Sequence, residues 1–380
     1  MSVINFIGIG LAIFLAFLLV LKSEKRMFDY ILLAWLLLNA TMLFFYYLNF
    51  EGHTHRFVPL LIAMGLIPYL ISPLLFIYVS SLVQGSRFSL VRQSLHFLPF
   101  VFILFSMWWY YWNPDDRHII RVAKGFINVG GDLPFQVRYW SLIMAFSACL
   151  YPLLCLFKLF KHRSIIENEF SNLQEKTLDW MRYWIIIEFV AFWISFLIII
   201  AGDFDMVERM TSFKVIAGMI IVNVFVVGFF GVKQSNIFVG SGSDTIDSSA
   251  DEKYKSSNLN LIQEDALMER LTQEMKDNKH YLNPALNATD VAGILSITKH
   301  QLSQLINQKT NGNFYEFVNQ YRLEEFKARV LSGEAERLSL LGLAFDCGFN
   351  SKSTFNHLFK KNEGTTPSAF RKNINERSPN

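Results

Sequence analysis

Apolar residues cluster in seven long stretches within the first 232 positions of this 380-residue chain. A helix needs about twenty apolar residues to cross the hydrocarbon core of a bilayer, and each stretch reaches or approaches that length. The stretches are 3–21, 28–48, 57–82, 95–112, 137–160, 183–201 and 215–232. The pattern therefore predicts a seven-helix transmembrane bundle over residues 1–232.

The pattern changes after Val232. Residues 233–258 include a run rich in Gly, Ser and Asp between Gly240 and Ala250, which is the composition of a flexible linker. From Leu261 onward, apolar residues recur at the spacing of amphipathic helices. The sequence predicts an all-α chain in which the bundle (1–232) is followed by a linker (233–258) and a soluble domain (259–376).

Two helix starts lie close together in the soluble domain. Asn287 is followed three residues later by Asp290, and Thr298 by Gln301, the spacing at which two side chains cap a helix reciprocally. With Ser296-Ile297 as a tight turn, residues 287–306 are predicted to form a helix-turn-helix unit. The residues at helical spacing that can share its core are Val291, Ala292, Ile294, Leu295, Leu302, Leu305 and Ile306.

About fifty residues later the same arrangement recurs. Four apolar residues, Leu340, Leu341, Leu343 and Ala344, mark one helix, and a turn at Gly348-Phe349-Asn350 follows. Ser351 is placed to cap a further helix through Phe355 and Phe359. An amphipathic helix from Phe314 to Leu331 is predicted to join the two helix-turn-helix units.

Residues 259–376 resemble the DNA-binding domain of the AraC/XylS family of bacterial transcription regulators. The resemblance rests on a pattern in the second unit: Ala344, Gly348, Phe349, Phe355, Phe359, Lys360, Lys361, Gly364, Pro367, Phe370 and Arg371. The aromatic and glycine positions of this pattern are structural, so they identify the fold rather than the target sequence. The first two thirds of the chain depart from the best-known members, whose sensor is soluble.

The second helix of a helix-turn-helix unit enters the major groove, where its exposed N-terminal side chains meet base edges. The predicted DNA-binding residues are the exposed positions of the two second helices and the lysines that follow: His300, Gln301, Ser303, Gln304, Lys352, Ser353, Asn356, His357, Lys360 and Lys361. Gln and Asn suit adenine, whereas Lys suits guanine or phosphate. Matching the family's pattern points to His300, Ser303, Gln304, Asn356 and His357 at the bases. An ordinary solvated helix face is the alternative, but it does not account for two capped units bearing this motif.

The composition agrees with a chain that has an apolar membrane region and a soluble domain. It is 52% hydrophobic and only 18% charged, which is too apolar for an ordinary soluble protein. The net charge of +3 says little, and residues 259–380 are nearly neutral. A local excess of Lys and Arg over 351–372 is nevertheless the kind of patch that attracts nucleic acid.

Loop charges orient the predicted bundle. The first, third and fifth loops together carry nine Lys and Arg, and the second, fourth and sixth carry six. Positive loops stay in the cytoplasm. The sequence therefore predicts a multi-pass protein of the cell inner membrane with its N-terminus outside and its DNA-binding domain in the cytoplasm.

Several features leave two interpretations open. Glu188, inside a predicted span, could take part in signalling, or it could simply snorkel or pair with a loop cation. The outer loop 113–136 could cover a ligand site or could simply connect two spans. Glu51, His53 and His55 are potential metal ligands, although a short solvated loop is the simpler interpretation. The three cysteines are too far apart or badly spaced for a disulfide framework or a zinc site.

The function class that these observations favour is a membrane-bound one-component transcription regulator, whose bundle senses a signal and whose C-terminal domain binds promoter DNA. The alternative is a membrane transporter or enzyme carrying a regulatory DNA-binding tail, and a third class is a structural tether of chromosome to membrane. No catalytic residue, metal or cofactor is expected. Expected partners are double-stranded DNA and the lipid bilayer, with a homodimer, an unknown small-molecule or membrane signal, and RNA polymerase as further candidates.

Overall fold

A computed structural model describes residues 2–51, 66–85, 88–112, 135–173, 178–203, 209–240 and 261–377. Within those ranges the regular structure is helical and the β-structure consists of a single isolated bridge, which confirms the all-α prediction. The chain divides into two compact units. Unit 1 comprises Met1–Phe160 and Asp179–Thr245, and unit 2 comprises Lys161–Leu178 and Ile246–Asn380.

Each of the seven predicted apolar stretches contains a helix. These helices and one short helix, α4, are α1 Ser2–Leu21, α2 Met27–Phe50, α3 Pro68–Gln84, α4 Leu90–Ser94, α5 Leu98–Trp112, α6 Phe135–Glu169, α7 Asp179–Asp203 and α8 Arg209–Gly240. Among the described residues, four helices are long and apolar enough to cross a membrane: Val3–Leu21, Met27–Leu48, Leu142–Glu169 and Lys214–Val232. The figure of seven spans therefore stays a prediction.

Unit 1 is built around α1, α2 and α8, which pack against one another. Glycines on α8 permit the close approach: a Cβ on Gly228 would lie 2.3 Å from Leu15 Cδ1, and one on Gly231 would lie 2.6 Å from Leu32 Cδ2. Small residues at such interfaces are typical of helices that pack in lipid. The outward faces remain strongly apolar, with Phe14 and many similar side chains exposed. A face of this kind suits contact with hydrocarbon.

Two carboxylates within unit 1 have hydrogen-bond partners inside it. Asp29, which is almost fully buried, accepts a hydrogen bond from Lys22 Nζ at 2.7 Å at the start of α2. Asn223 of α8 donates to the Glu188 carboxylate of α7. Glu188 therefore pairs with an amide from a neighbouring helix, an outcome that neither of its two sequence interpretations included.

The described residues of unit 2 include seven further α-helices. They are α9 Leu261–Asn278, α10 Ala288–Leu295, α11 Lys299–Thr310, α12 Phe314–Leu331, α13 Leu340–Asp346, α14 Lys352–Glu363 and α15 Pro367–Arg377. The long helix α12 serves two hydrophobic cores. Phe314 and Val318 lie in the first core, with α9, α10 and α11, whereas Phe326 and Val330 lie in the second, with α13 and α14.

The compact units and the predicted domains have different boundaries. Unit 1 extends to Thr245, whereas the predicted bundle ends at residue 232. Residues 161–178 fall inside the predicted bundle, yet they belong to unit 2, and they include the last turns of α6. The predicted linker is helical as far as Gly240, because α8 continues to that residue. Residues 241–258, the rest of the linker, lie outside the described part of the chain, as do 113–134 of the fourth loop and His53 and His55.

Candidate nucleic-acid interface

Helices α10 and α11 form the first helix-turn-helix unit, and both predicted capping boxes are present. Asn287 Oδ1 accepts from the Asp290 amide at 3.0 Å, and Thr298 Oγ1 accepts from the Gln301 amide at 3.2 Å. Ser296 ends α10 in the left-handed region with φ 58°, and the Ile297 amide donates to Ala292 O at 3.0 Å. These local bonds set the sharp turn between the helices.

One face of α11 is buried in the first core, and the opposite face is exposed. Leu302, Leu305 and Ile306 are completely buried in the first core. His300 is exposed, and Ser303 and Gln304 are partly exposed. The remaining candidate, Gln301, is also partly exposed.

The Gln301 side chain caps the N-terminus of its own helix. Its Oε1 accepts from the Thr298 amide at 2.9 Å and lies 3.1 Å from Thr298 Oγ1. A side chain held in a capping box is less able to turn toward a base edge. Gln301 therefore serves the start of α11 in this structure.

Helices α13 and α14 form the second unit. Ser339 caps α13 through the Gly342 amide at 3.0 Å, and the predicted cap Ser351 accepts from the Thr354 amide at 3.4 Å. Gly348 occupies the turn with φ 92°, a conformation that side chains with a Cβ rarely adopt. The Phe349 amide then donates to Ala344 O at 3.1 Å, so this turn repeats the hydrogen bond made by Ile297 in the first unit.

Phe355, Leu358 and Phe359 bury the inner face of α14. All six candidates on this helix are exposed: Lys352, Ser353, Asn356, His357, Lys360 and Lys361. Two of them have intramolecular partners, since Ser353 Oγ lies 2.9 Å from Ser351 Oγ and Lys361 Nζ lies 3.1 Å from Glu316 Oε1. The structure thus brings the candidates together as two sets, one on α11 and one on α14.

A buried arginine on α12 lies between the two helix-turn-helix units. Arg322 is 1% exposed, and its Nε donates to Tyr281 O at 2.7 Å while its Nη2 donates to Asn283 O at 2.8 Å. Burial lowers its pKa to about 10, which still leaves the guanidinium charged at neutral pH. The amphipathic pattern of 314–331 did not indicate this residue, since a charged position on a helix normally faces water.

The helix-turn-helix domain family matches residues 291–373, which include most of the first helix-turn-helix unit and all of the second. A probable transcription factor of Proteus vulgaris, named PqrA, is 30% identical over 91 residues, which cover 24% of this chain and 72% of that protein. The chain belongs to the AraC/XylS family. No solved structure gives a significant match.

The apolar residues of the AraC/XylS pattern help to build the second core: Ala344, Phe349, Phe355 and Phe359 are buried in it, and Phe370 packs against it. Phe359 contacts three aromatic rings, with centroid distances of 5.6 Å to Phe326, 5.8 Å to Phe355 and 5.4 Å to Phe370. The family pattern thus reports a packing arrangement, as expected from the sequence. An AraC-type domain binds double-stranded DNA and implies transcription regulation.

Proposed function

We propose that this protein is a membrane-anchored one-component transcription regulator, which senses a signal through unit 1 and binds promoter DNA through unit 2. The observation that carries the proposal is the presence, in one chain, of two capped helix-turn-helix units and four helices long enough to span a bilayer. The PqrA relative, named as a probable transcription factor, supports the regulatory part.

The DNA would be read by α11 and α14, one in each of two successive major-groove segments about 34 Å apart. His300, Ser303, Gln304, Asn356 and His357 are proposed to contact bases. Gln304 and Asn356 have amides that can pair with adenine through two hydrogen bonds. Because Gln301 completes a capping box, its contribution is proposed to be the placement of α11.

The lysines of α14 are proposed to contact phosphates. Lys352 lies at the first residue of α14, and Lys360 and Lys361 lie in its last turn. All three are exposed. Contacts of this kind add affinity without sequence preference and make binding sensitive to salt.

Unit 1 is proposed to lie in the cell inner membrane with the N-terminus outside and unit 2 in the cytoplasm. The apolar outer faces of its helices and the bias in loop charge support this arrangement. The signal would reach the protein from the outer face or the membrane interior. Pairing of two chains and contact with RNA polymerase are the proposed routes to changed transcription.

The direct test is selection of bound sequences by the full-length protein in lipid nanodiscs from a library of random duplexes. We expect enrichment of two short elements about one helical turn apart. Extraction of cell membranes with carbonate should leave the protein in the membrane pellet. Binding without enrichment of any sequence, or release of the protein by carbonate, would contradict the proposal.

A further inference from the structure

A segment within the apolar half of the chain is built into the DNA-binding unit. Residues 161–178 belong to unit 2, although the chain before them, through Phe160, and the chain after them, from Asp179, belong to unit 1. We call residues 163–171 the latch. It comprises the last two turns or so of α6, residues 163–169, together with Phe170 and Ser171.

Ser171, at the end of the latch, is 1% exposed and is held by five hydrogen bonds. Its amide and its Oγ both donate to Leu286 O, at 3.2 Å and 2.5 Å. Its carbonyl accepts from Asn319 Nδ2 at 3.1 Å and from Arg322 Nη1 at 3.0 Å. The preceding residue, Phe170, forms an antiparallel bridge with Asn287, the cap of α10.

The latch completes the surroundings of the buried arginine. Arg322 Nη2 donates to Ser171 Oγ at 3.1 Å, so both terminal nitrogens of the guanidinium bind this one residue. The other partners of Arg322 are Tyr281 O, Asn283 O and Asn319 Oδ1. A buried charge needs such partners, and the latch therefore has a specific seat in unit 2.

The same segment brings two carboxylates to the starts of helices in the first helix-turn-helix unit and in α12. Glu169 Oε1 lies 3.7 Å from the ammonium of Lys299, the first residue of α11. Glu167 Oε2 accepts from Nδ2 of Asn313, the cap of α12, at 3.4 Å. The N-terminus of a helix favours an anion, and a DNA phosphate would be attracted there for the same reason.

From these contacts we infer that the latch is an intramolecular competitor of DNA. When it is docked, Glu169 occupies the cationic start of α11 that a DNA phosphate would otherwise occupy, and tight DNA binding requires that carboxylate to leave. Ser171 and Arg322 hold the docked form. Because the latch contains the end of α6 and the chain runs on from it to α7, a change in unit 1 that pulls on either helix would withdraw it. This inference rests on the proposed function.

The test uses the full-length protein in nanodiscs and a fluorescent random-sequence duplex of about four helical turns. Glu169→Gln removes the competing charge but keeps the seat of Ser171. We expect it to tighten binding by roughly 3- to 10-fold and to steepen the plot of log affinity against log salt by about 0.9, as one more phosphate contact would.

A further variant is designed to expel the latch, and a second variant is its charge-matched control. Ser171→Lys places a like charge beside Arg322, and Ser164→Lys adds the same charge at an exposed position of the same segment. We expect Ser171→Lys to bind the duplex more tightly than Ser164→Lys does. Because both variants carry the same added charge, the difference in affinity reports the release of the latch. Equal affinities for the two lysine variants, with no effect of Glu169→Gln, would overturn the latch and leave the proposed function intact.

Hydrogen exchange of the unmodified protein supplies a readout that needs no substitution. The buried Ser171 amide donates to Leu286 O, and coupling between two sites is reciprocal. Added duplex should therefore speed exchange across residues 163–171. Unchanged exchange in protein that has bound the duplex would overturn the latch, whereas failure of every form, Ser171→Lys included, to bind any duplex would overturn the proposed function itself.

Discussion

A Cβ atom on Gly348 would lie only 2.5 Å from the backbone oxygen of Tyr281. The turn of the second helix-turn-helix unit therefore rests directly on the segment that leads into the first. The same Cβ would lie 2.8 Å from Arg322 Nε, which donates to that Tyr281 oxygen. Gly348 and Arg322 thus set how closely the two helix-turn-helix units pack together.

Gly348→Ala should destabilise unit 2 by about 2–5 kcal/mol, through left-handed strain of about 1–2 kcal/mol and overpacking of about 1–3 kcal/mol. Gly333→Ala is the matched control, because Gly333 has φ 86° but nothing within 4 Å of its added Cβ. It should show the strain alone. Urea midpoints from pulse proteolysis measure both, and equal losses would show that the contact with Tyr281 has no cost.

Phe359→Ala should cost about 3–5 kcal/mol, because it leaves a cavity where a completely buried ring now contacts three others. Phe345→Ala is the control, since Phe345 is 44% exposed, and it should change the midpoint little. The same urea series applies. A small effect at Phe359 would mean that the second core repacks around the gap.

Glu325 should make unit 2 less stable in acid. Burial alone would raise the pKa of its carboxyl, but hydrogen bonds from Lys279, Arg329 and Tyr281 lower it below the ordinary value. A carboxyl with a lowered pKa stabilises the fold above its unfolded pKa of about 4.3, and that contribution is lost as pH falls through the folded pKa. The difference in the free energy of unfolding between the unmodified protein and Glu325→Gln should therefore be largest at neutral pH and should narrow as the pH falls below the unfolded pKa of about 4.3.

Glu324→Gln is the control for that series. Glu324 is 55% exposed and pairs with Lys327 on the surface of α12, and exposed pairs contribute little. It should give a small gap at every pH. A gap for Glu325→Gln that stays constant from neutral to acid pH would contradict the assignment.

Gln304→Ala and Asn356→Ala should each weaken binding to the selected site by about 1–3 kcal/mol while leaving binding to random duplex nearly unchanged. Lys360→Ala should instead weaken both and flatten the salt dependence. Fluorescence anisotropy at several salt concentrations separates the two kinds of effect. Equal losses on selected and random DNA would show that Gln304 and Asn356 do not read bases.

A reporter that is active only outside the cytoplasm should stay inactive when fused after Gly240. The loop-charge bias and the need of unit 2 to reach DNA both place this point inside. The same reporter inserted at residue 125, in the fourth loop, is the positive control and should be active. Activity after Gly240 would reverse the proposed orientation.

The two helix-turn-helix units could be predicted from the sequence because their signals are local. Each capping box links residues three apart, as with Thr298 and Gln301, and backbone geometry alone brings them together. The apolar helices of unit 1 could be predicted equally directly. Comparing the length of an apolar stretch with the thickness of a bilayer requires no knowledge of how the helices pack. For the same reason the family pattern, which records the aromatic core around Phe359, could be recognised in advance.

The tertiary structure alone decided the contacts that link distant parts of the chain. Ser171 and Arg322 are 151 positions apart, and neither stands out in a periodic pattern, because a serine in a loop and an arginine on a helix both suggest exposure. The pairing of Glu169 with Lys299 is invisible for the same reason. Capping and periodicity depend on neighbours along the chain, whereas the seat of a buried charge depends on which distant backbone oxygens the completed fold brings to it.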